Sequence, residues 1–249
     1  MEEAYYLTDS VFLKEDTLFY ETERGDIKRV SKHNWHRILE EYGWTKLPKK
    51  WITTLNMTIE SPSHKERNSL FGMLDCEHDG DCFFHCIANA LNERDHFTSH
   101  YDSQDVREII CESLTDEMFE TIIGCYRAMK DASDFEEDWD PHKIKSLDQF
   151  REQMRKGGHE YWGDYLMMNL LVQCLGVNIL LLNSNEDEQD YTVYKTLNDF
   201  DETRGTICLL YENGVHFQLL GHFNGSRMIS YFPPYLVPFA LRKIHDFTR

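Results

Sequence analysis

The sequence lacks any apolar run near the roughly 18 residues needed to cross a bilayer. Its longest, Val177-Asn178-Ile179-Leu180-Leu181-Leu182, suits a buried strand. The opening Met1-Glu2-Glu3-Ala4-Tyr5-Tyr6 has neither the basic start nor the apolar stretch of a secretory signal, so a cytoplasmic address without a membrane partner is expected. Basic side chains are few: 26 Lys and Arg stand against 44 Asp and Glu, a net charge of -18. Residues 1–70 hold 11 basic and 12 acidic side chains, and residues 71–249 hold 15 and 32, so the acidity belongs to the larger second part. A field of that sign repels nucleic acid and anionic membrane and favours basic partners. Disulfide-framework spacing is also missing. The seven cysteines (76, 82, 86, 111, 125, 174 and 208) are odd in number, which reads as free thiols, most of them small core residues. No internal repeat is visible, and low complexity is excluded by 41% hydrophobic and 13% aromatic content in 249 residues.

What is present divides loosely near residue 65. In residues 1–65, Leu18-Phe19-Tyr20 and Ile27-Lys28-Arg29-Val30 flank Glu23-Arg24-Gly25-Asp26 as a short hairpin. Ser31 is placed to cap a helix carrying Trp35, Ile38, Leu39 and Tyr42 and stopped by Gly43. This region is expected to be an N-terminal extension, either stabilising or in contact with substrate, ahead of a main domain over 66–249. In the main domain, Cys82 to Leu91 reads as a buried helix, followed by helices over 103–114, 116–130 and 163–175. Ser146 and Gln149 form a capping-box pattern before another helix. The acidic stretch Ser133 to Asp140 reads as a solvated loop. Strands are expected over 177–183, 191–196, 206–212 and 215–220. Helices first and strands later imply an α+β fold, a small central β-sheet flanked by helices in a sandwich-like arrangement.

Three groups of residues carry chemistry. Asp79-Gly80-Asp81-Cys82 puts a thiol at the start of an apolar helix, where unpaired N–H groups and the helix dipole favour a thiolate and can hold an oxyanion. Gly80 leaves room for close backbone approach. His216 follows Asn213-Gly214, a two-residue hairpin signal, and strand alternation puts Gln218 on its face, opposite Val215, Phe217 and Leu219. Gln218 is then a candidate to orient the imidazole through its amide oxygen. Cys76, His78, Cys82, His85 and Cys86 resemble zinc ligands in type, but a matching distal pair is missing, and no metal or other cofactor is expected. His33, His36, His100 and His159 show no companion pattern, and His222 is a weaker rival to His216.

Taken together, these residues resemble the ovarian tumour (OTU) family of cysteine proteases. Asp79-Gly80-Asp81-Cys82-Phe83-Phe84-His85 is similar to the family's Asp-Gly-Asn-Cys signature. Tyr161-Trp162-Gly163-Asp164, followed by Leu175-Gly176-Val177-Asn178-Ile179, resembles its Trp-Gly segment and next strand, and Val215-His216-Phe217 its C-terminal His-aromatic motif. Their order agrees over roughly residues 70–222.

The resemblance implies a papain-like fold of OTU type and a metal-free deubiquitinase. Cys82 would be the nucleophile, His216 the general base, and Asp79 the residue shaping the loop, with Gln218 or Asn224 as third group. Gly80, Asp81 and Trp162 would line the path of the modifier tail, which is basic and ends in two glycines. The partner implied is ubiquitin or a ubiquitin-like modifier on its conjugates, met by a monomer in the cytoplasm, or in the host cytoplasm for a viral or bacterial member. Asp81 stands where the family more often has Asn, which adds a charge beside the thiol unless the carboxylate points to solvent. Other readings are a weak or inactive ubiquitin-binding module of the same fold, a papain-like protease of ordinary peptides, and a zinc protein.

Overall fold

The structure is a computed structural model that describes residues 4–57, 59–77, 79–135, 137–185, 190–195 and 200–247. The chain opens with four short strands, β1 (Tyr5–Tyr6), β2 (Val11–Lys14), β3 (Thr17–Glu21) and β4 (Ile27–Arg29), paired in that order as an antiparallel sheet. The expected hairpin is its second half. After it come α1 (Trp35–Ile38), whose N-cap position is Asn34 and not Ser31 and carries no side-chain cap, and a 3-10 turn closed by Gly43 at φ +97°. Next are β5 (Trp44–Lys46), α2 (Lys49–Met57), α3 (Pro62–Asn68) and β6 (Phe71–Leu74). Pro62 opens a helix there, as its preset φ and missing N–H allow at a first-turn position.

The helical half runs α4 (Cys82–Arg94), α5 (Ser103–Ser113), α6 (Asp116–Asp131), α7 (Leu147–Met154) and α8 (Tyr165–Leu175). Then follow β7 (Asn178–Asn185), β8 (Asp190–Lys195), β9 (Thr206–Glu212), β10 (His216–Phe223), β11 (Met228–Ile229), β12 (Tyr231–Phe232) and α9 (Phe239–Phe247). The main sheet has the order β5-β6-β10-β9-β7-β8, with β7 and β9 parallel and its other neighbours antiparallel.

Apolar side chains cover both faces of this sheet. Phe217 and Leu219 of β10 face the larger core, shared with α4, α5, α6 and α8. Leu220 faces the smaller one, with Trp51 and Leu55 of α2 and Ala240 and Leu241 of α9. This is an α+β fold with its central sheet between helical layers. The N-terminal strands join the larger core through Val11, Leu13 and Leu18. Arg227 ties them down through ion pairs with Asp16 and buried Glu93, and the Leu18 N–H donates to the Ser226 carbonyl at 2.9 Å.

The β9–β10 turn differs slightly from its sequence pattern. Asn213 and Gly214 take the positive φ values of +53° and +73° that an Asn-Gly turn demands. The ladder resumes only at His216, opposite Glu212, so Val215 belongs to the loop and is exposed.

Candidate active site

Cys82 is the first residue of α4, and the loop before it is unusually tight. Gly80 sits at φ +90°, and a Cβ there would lie 2.5 Å from the Gly158 carbonyl carbon. The Asp79 carboxylate accepts the Asp81 N–H at 2.9 Å and meets His85 Nε2 at 3.0 Å, so Asp79 does shape the loop. Asp81 occupies the N-cap position but makes no side-chain cap. Its carboxylate is buried instead, paired with Arg107 and accepting the Gly158 N–H at 3.0 Å. The first amides of α4 are thereby left without a side-chain acceptor. With the Asp81 N–H taken by Asp79, the oxyanion donors in this loop narrow to the Gly80 and Cys82 N–H groups, for which no acceptor appears among the described residues.

The expectation that the helix start favours a thiolate is not met. Cys82 is only 8% exposed, and burial pushes its thiol above the ordinary range, with nearby Cys76 and Asp79 adding to the rise. The Phe217 N–H, 3.4 Å from Sγ, and the Phe83 N–H pull the other way without prevailing. A thiol so placed needs a base.

His216 stands at the start of β10, beside Phe217 whose amide touches the sulfur, and is 7% exposed. Its Nε2 lies 3.1 Å from Asp75 Oδ1. Asp75 follows β6, and the antiparallel register that pairs Leu219 with Leu74 brings it opposite Gln218. A carboxylate on Nε2 fixes the tautomer, leaves Nδ1 for the proton of an attacking thiol and stabilises the imidazolium that forms. Gln218 shares the face of His216, as strand alternation requires, but its amide nitrogen donates to the same Asp75 oxygen at 3.3 Å. Its Oε1 is buried without a hydrogen-bond partner among the described residues, so within them it does not hold the imidazole. Asn224 accepts the Ser226 and Arg227 N–H groups in the turn after β10 and does not reach His216.

A groove with a free volume of about 220 Å³ runs beside the sulfur, lined by Gly80, Cys82 and Phe83, by His159, Trp162 and Gly163, and by His216 and Phe217 of β10. Trp162 is 40% exposed and lies 5.6 Å, ring to ring, from His159. Gly163 is required because a Cβ there would strike the Phe83 ring. Behind the wall, Glu137 Oε2 accepts from Trp139 Nε1 at 2.5 Å and from the Trp162 N–H at 3.4 Å. Burial pushes the Glu137 carboxyl up to about 7. Part of the stretch expected to be a solvated loop is therefore packed: Trp139 meets Tyr126 and Phe135 edge-on and Tyr161 at a tilt, while Ser133, Asp134 and Asp138 stay exposed.

A family model for OTU-like cysteine proteases matches residues 77–223, more than half of the sequence. The chain belongs to this family. Among solved structures, this OTU chain is similar to the viral OTU domain protease from Farallon virus, at 23% identity over 62% of this chain and 85% of that one, TM-score 0.41. It is also similar to the OTU protease from Dera Ghazi Khan virus, at 18% identity over 64% and 85%, TM-score 0.41. A third is an OTU deubiquitinase from Wolbachia pipientis wMel, at 14% identity over 64% and 92%, TM-score 0.42. At such TM-scores these likenesses add nothing to what the family model establishes. No curated protein matches.

The structure brings Cys82, His216, Gly80 and Trp162 to one groove and puts Asp79 in the loop before the thiol, while Gln218 reaches Asp75 and not the imidazole. Asp81 is corrected most, since it points inward to Arg107 and not to solvent. The zinc-like set is not brought together. His78 lies outside the described residues, Cys76 and Cys86 meet each other at 3.3 Å, and His85 turns to Asp79. Among the described residues the one grouping close enough to share an ion, Glu77, Asp79 and His85, contains no thiol. Sequence reasoning missed Asp75 and His159. Asp75 precedes the matched motif by two positions and acts through sheet register, and His159 enters the groove only because Gly157 and Gly158 fold it against Gly80.

Proposed function

We propose that this chain is a thiol-dependent isopeptidase that releases ubiquitin or a ubiquitin-like modifier from its conjugates. The carrying observation is a helix-start thiol and a strand histidine lining one groove, with a carboxylate on that histidine: Phe217 N to Cys82 Sγ at 3.4 Å and His216 Nε2 to Asp75 at 3.1 Å. In this reading His216 takes the Cys82 proton while Sγ attacks the carbonyl carbon of the modifier's terminal glycine. The Gly80 and Cys82 N–H groups receive the oxyanion. His216 then protonates the departing lysine amine, a thioester to Cys82 remains, and water hydrolyses it to the free carboxylate.

The close approach of Gly80 to Gly158 and the flat Trp162 wall suit a tail of two glycines, and the net charge of -18 suits the tail's basic residues. Residues 1–65 serve as a stabilising extension in this reading, since the N-terminal strands share the larger core. The protein would act as a monomer in the cytoplasm, without nucleic acid or membrane partners. The test is a ubiquitin whose C-terminal glycine bears a thiol-trapping electrophile, followed by a panel of ubiquitin dimers and one ubiquitin-like substrate. Labelling lost in Cys82→Ala supports the isopeptidase. Tight binding of ubiquitin without labelling would mark an inactive binding module.

A further inference from the structure

Asp81 is chemically odd at its position. An aspartate at an N-cap normally turns its carboxylate onto the next helical amides, and an unpaired carboxylate beside a nucleophilic thiol opposes ionisation. Neither occurs, because Arg107 on α5 intercepts it. The Arg107 side chain is 0% exposed, and its guanidinium lies over the Phe84 ring at 3.7 Å. Nη2 binds both the Asp81 carboxylate and, at 2.9 Å, the Tyr161 carbonyl, while Nη1 donates to the Met154 carbonyl at 2.8 Å. The Asp81 carboxylate also accepts the Gly158 N–H at 3.0 Å and the Ser103 hydroxyl at 3.4 Å. A Cβ on Gly157 would come within 3.1 Å of Asp81 Oδ2.

These bonds join two parts of the chain. Residues 79–82 carry Gly80 and the nucleophile, and residues 154–163 carry His159, Trp162 and Gly163. They abut, Gly80 on Gly158 and Gly163 on the Phe83 ring, and both line the groove beside Cys82, together with His216 and Phe217. A buried ion pair backed by additional hydrogen bonds holds a defined geometry, and here both terminal guanidinium nitrogens are engaged while Arg107 Nε has no acceptor among the described residues.

We infer that Asp81 and Arg107 are a pair of positioning residues that hold these two groove-lining segments in register and keep the first amides of α4 free for the reacting carbonyl. The inference rests on the reading of Cys82 as the nucleophile for a modifier tail. It also explains why an aspartate is tolerated next to that thiol: its charge is spent on Arg107 behind the wall. Substrate selection follows, since a groove of fixed width admits two glycines and excludes bulkier residues at those positions.

The test uses the neutral double variant Asp81→Asn/Arg107→Met, because either single change leaves one buried polar group unmatched and risks unfolding. Two rates are compared with the parent: alkylation of Cys82 by iodoacetamide, which needs no groove, and labelling by ubiquitin bearing a C-terminal electrophile. Misplaced walls should cut ubiquitin labelling by at least about tenfold, chiefly through weaker saturation. Alkylation should stay within about threefold, because the thiol itself is not moved. Amide exchange over residues 157–163 should rise while α4 and α8 stay protected. Equal losses in both rates would mean a merely structural pair and overturn the inference, as would unchanged labelling or unchanged exchange over 157–163 in the folded double variant. A parent that alkylates but never reacts with the ubiquitin probe would overturn the proposed function and the pair's role in substrate selection together. A reactive parent with an unaffected double variant would overturn the pair alone.

Discussion

Strand β10 carries two histidines on one face, six residues and therefore about 20 Å apart, and they are chemically unlike. His216 faces the Asp75 carboxylate at 3.1 Å and adjoins the residue whose amide touches Cys82. His222 packs edge-on against Phe71 at 4.8 Å, and its Nε2 meets the Arg67 carbonyl at 3.3 Å. Burial pushes His222 down to about 4, so it stays neutral and inert at neutral pH. The same side chain on the same strand thus meets a carboxylate at one end and packs on a ring at the other. What separates the two ends is a carboxylate across the ladder and a thiol across the helix start.

The largest effects should come from erasing the reactive end. Cys82→Ala should abolish labelling by electrophilic ubiquitin. His216→Ala should lower kcat/KM on a fluorogenic ubiquitin amide by about a thousandfold or more, because the buried thiol is then left without a base. His222→Phe should leave that rate within about twofold. If both histidine variants lost activity alike, the contrast between the two ends would be void.

Next in size is Asp75. Asp75→Ala should lower kcat by about 10- to 100-fold with little change in KM, since the carboxylate acts on the imidazole and not on substrate. The loss is set below that for a fully buried triad acid because the Asp75 side chain is 53% exposed and water can replace it in part. A KM effect of the same size would instead place Asp75 in the substrate path.

The inert end makes a prediction about stability. His222 is held below its ordinary value in the folded state, so between pH 6.5 and about 4 the unfolded chain binds the proton first. Its contribution is present above pH 6.5 and is lost as pH falls toward 4, at a cost on the order of 2 kcal/mol. Urea unfolding at pH 7 and pH 4.5 should show a smaller acid loss in His222→Phe than in the parent. An identical loss would mean that the His222 environment is wetter than its packing indicates.

The legible part of this molecule was local. Gly80, Cys82 and the β9–β10 turn declare themselves because turn chemistry and helix starts are written in neighbouring residues. The regular helices α5, α6 and α8 were equally visible from apolar spacing. Asp75 was not, since its role exists only once β6 lies beside β10 in a particular register. Asp81 was misjudged for the same reason, because Arg107 lies 26 positions away on another helix. The Ser133–Asp140 stretch looked soluble from its charge, but Phe135 and Trp139 decide its fate by packing on Tyr126. Single-residue alternation correctly placed Gln218 beside His216 and still gave it the wrong job.

Gln218 supplies the smallest and most discriminating prediction. If it oriented the imidazole, Gln218→Leu would cost as much as loss of Asp75. The geometry gives it a lesser role. Its amide nitrogen steadies Asp75 at 3.3 Å, while its Oε1 is buried with no partner among the described residues. Leucine of similar volume removes one useful donor and one unsatisfied acceptor at once, a trade that is near neutral for stability. The expected outcome is a two- to fivefold fall in kcat, an unchanged KM and a melting temperature equal to or slightly above the parent. Gln218→Glu should do worse on both counts, because a second carboxylate beside Asp75 repels it and competes for the same imidazole nitrogen. A hundredfold loss in Gln218→Leu with Asp75→Ala nearly silent would reverse the order of the two residues, and with it the claim that the reactive end of β10 is made by its cross-strand neighbour.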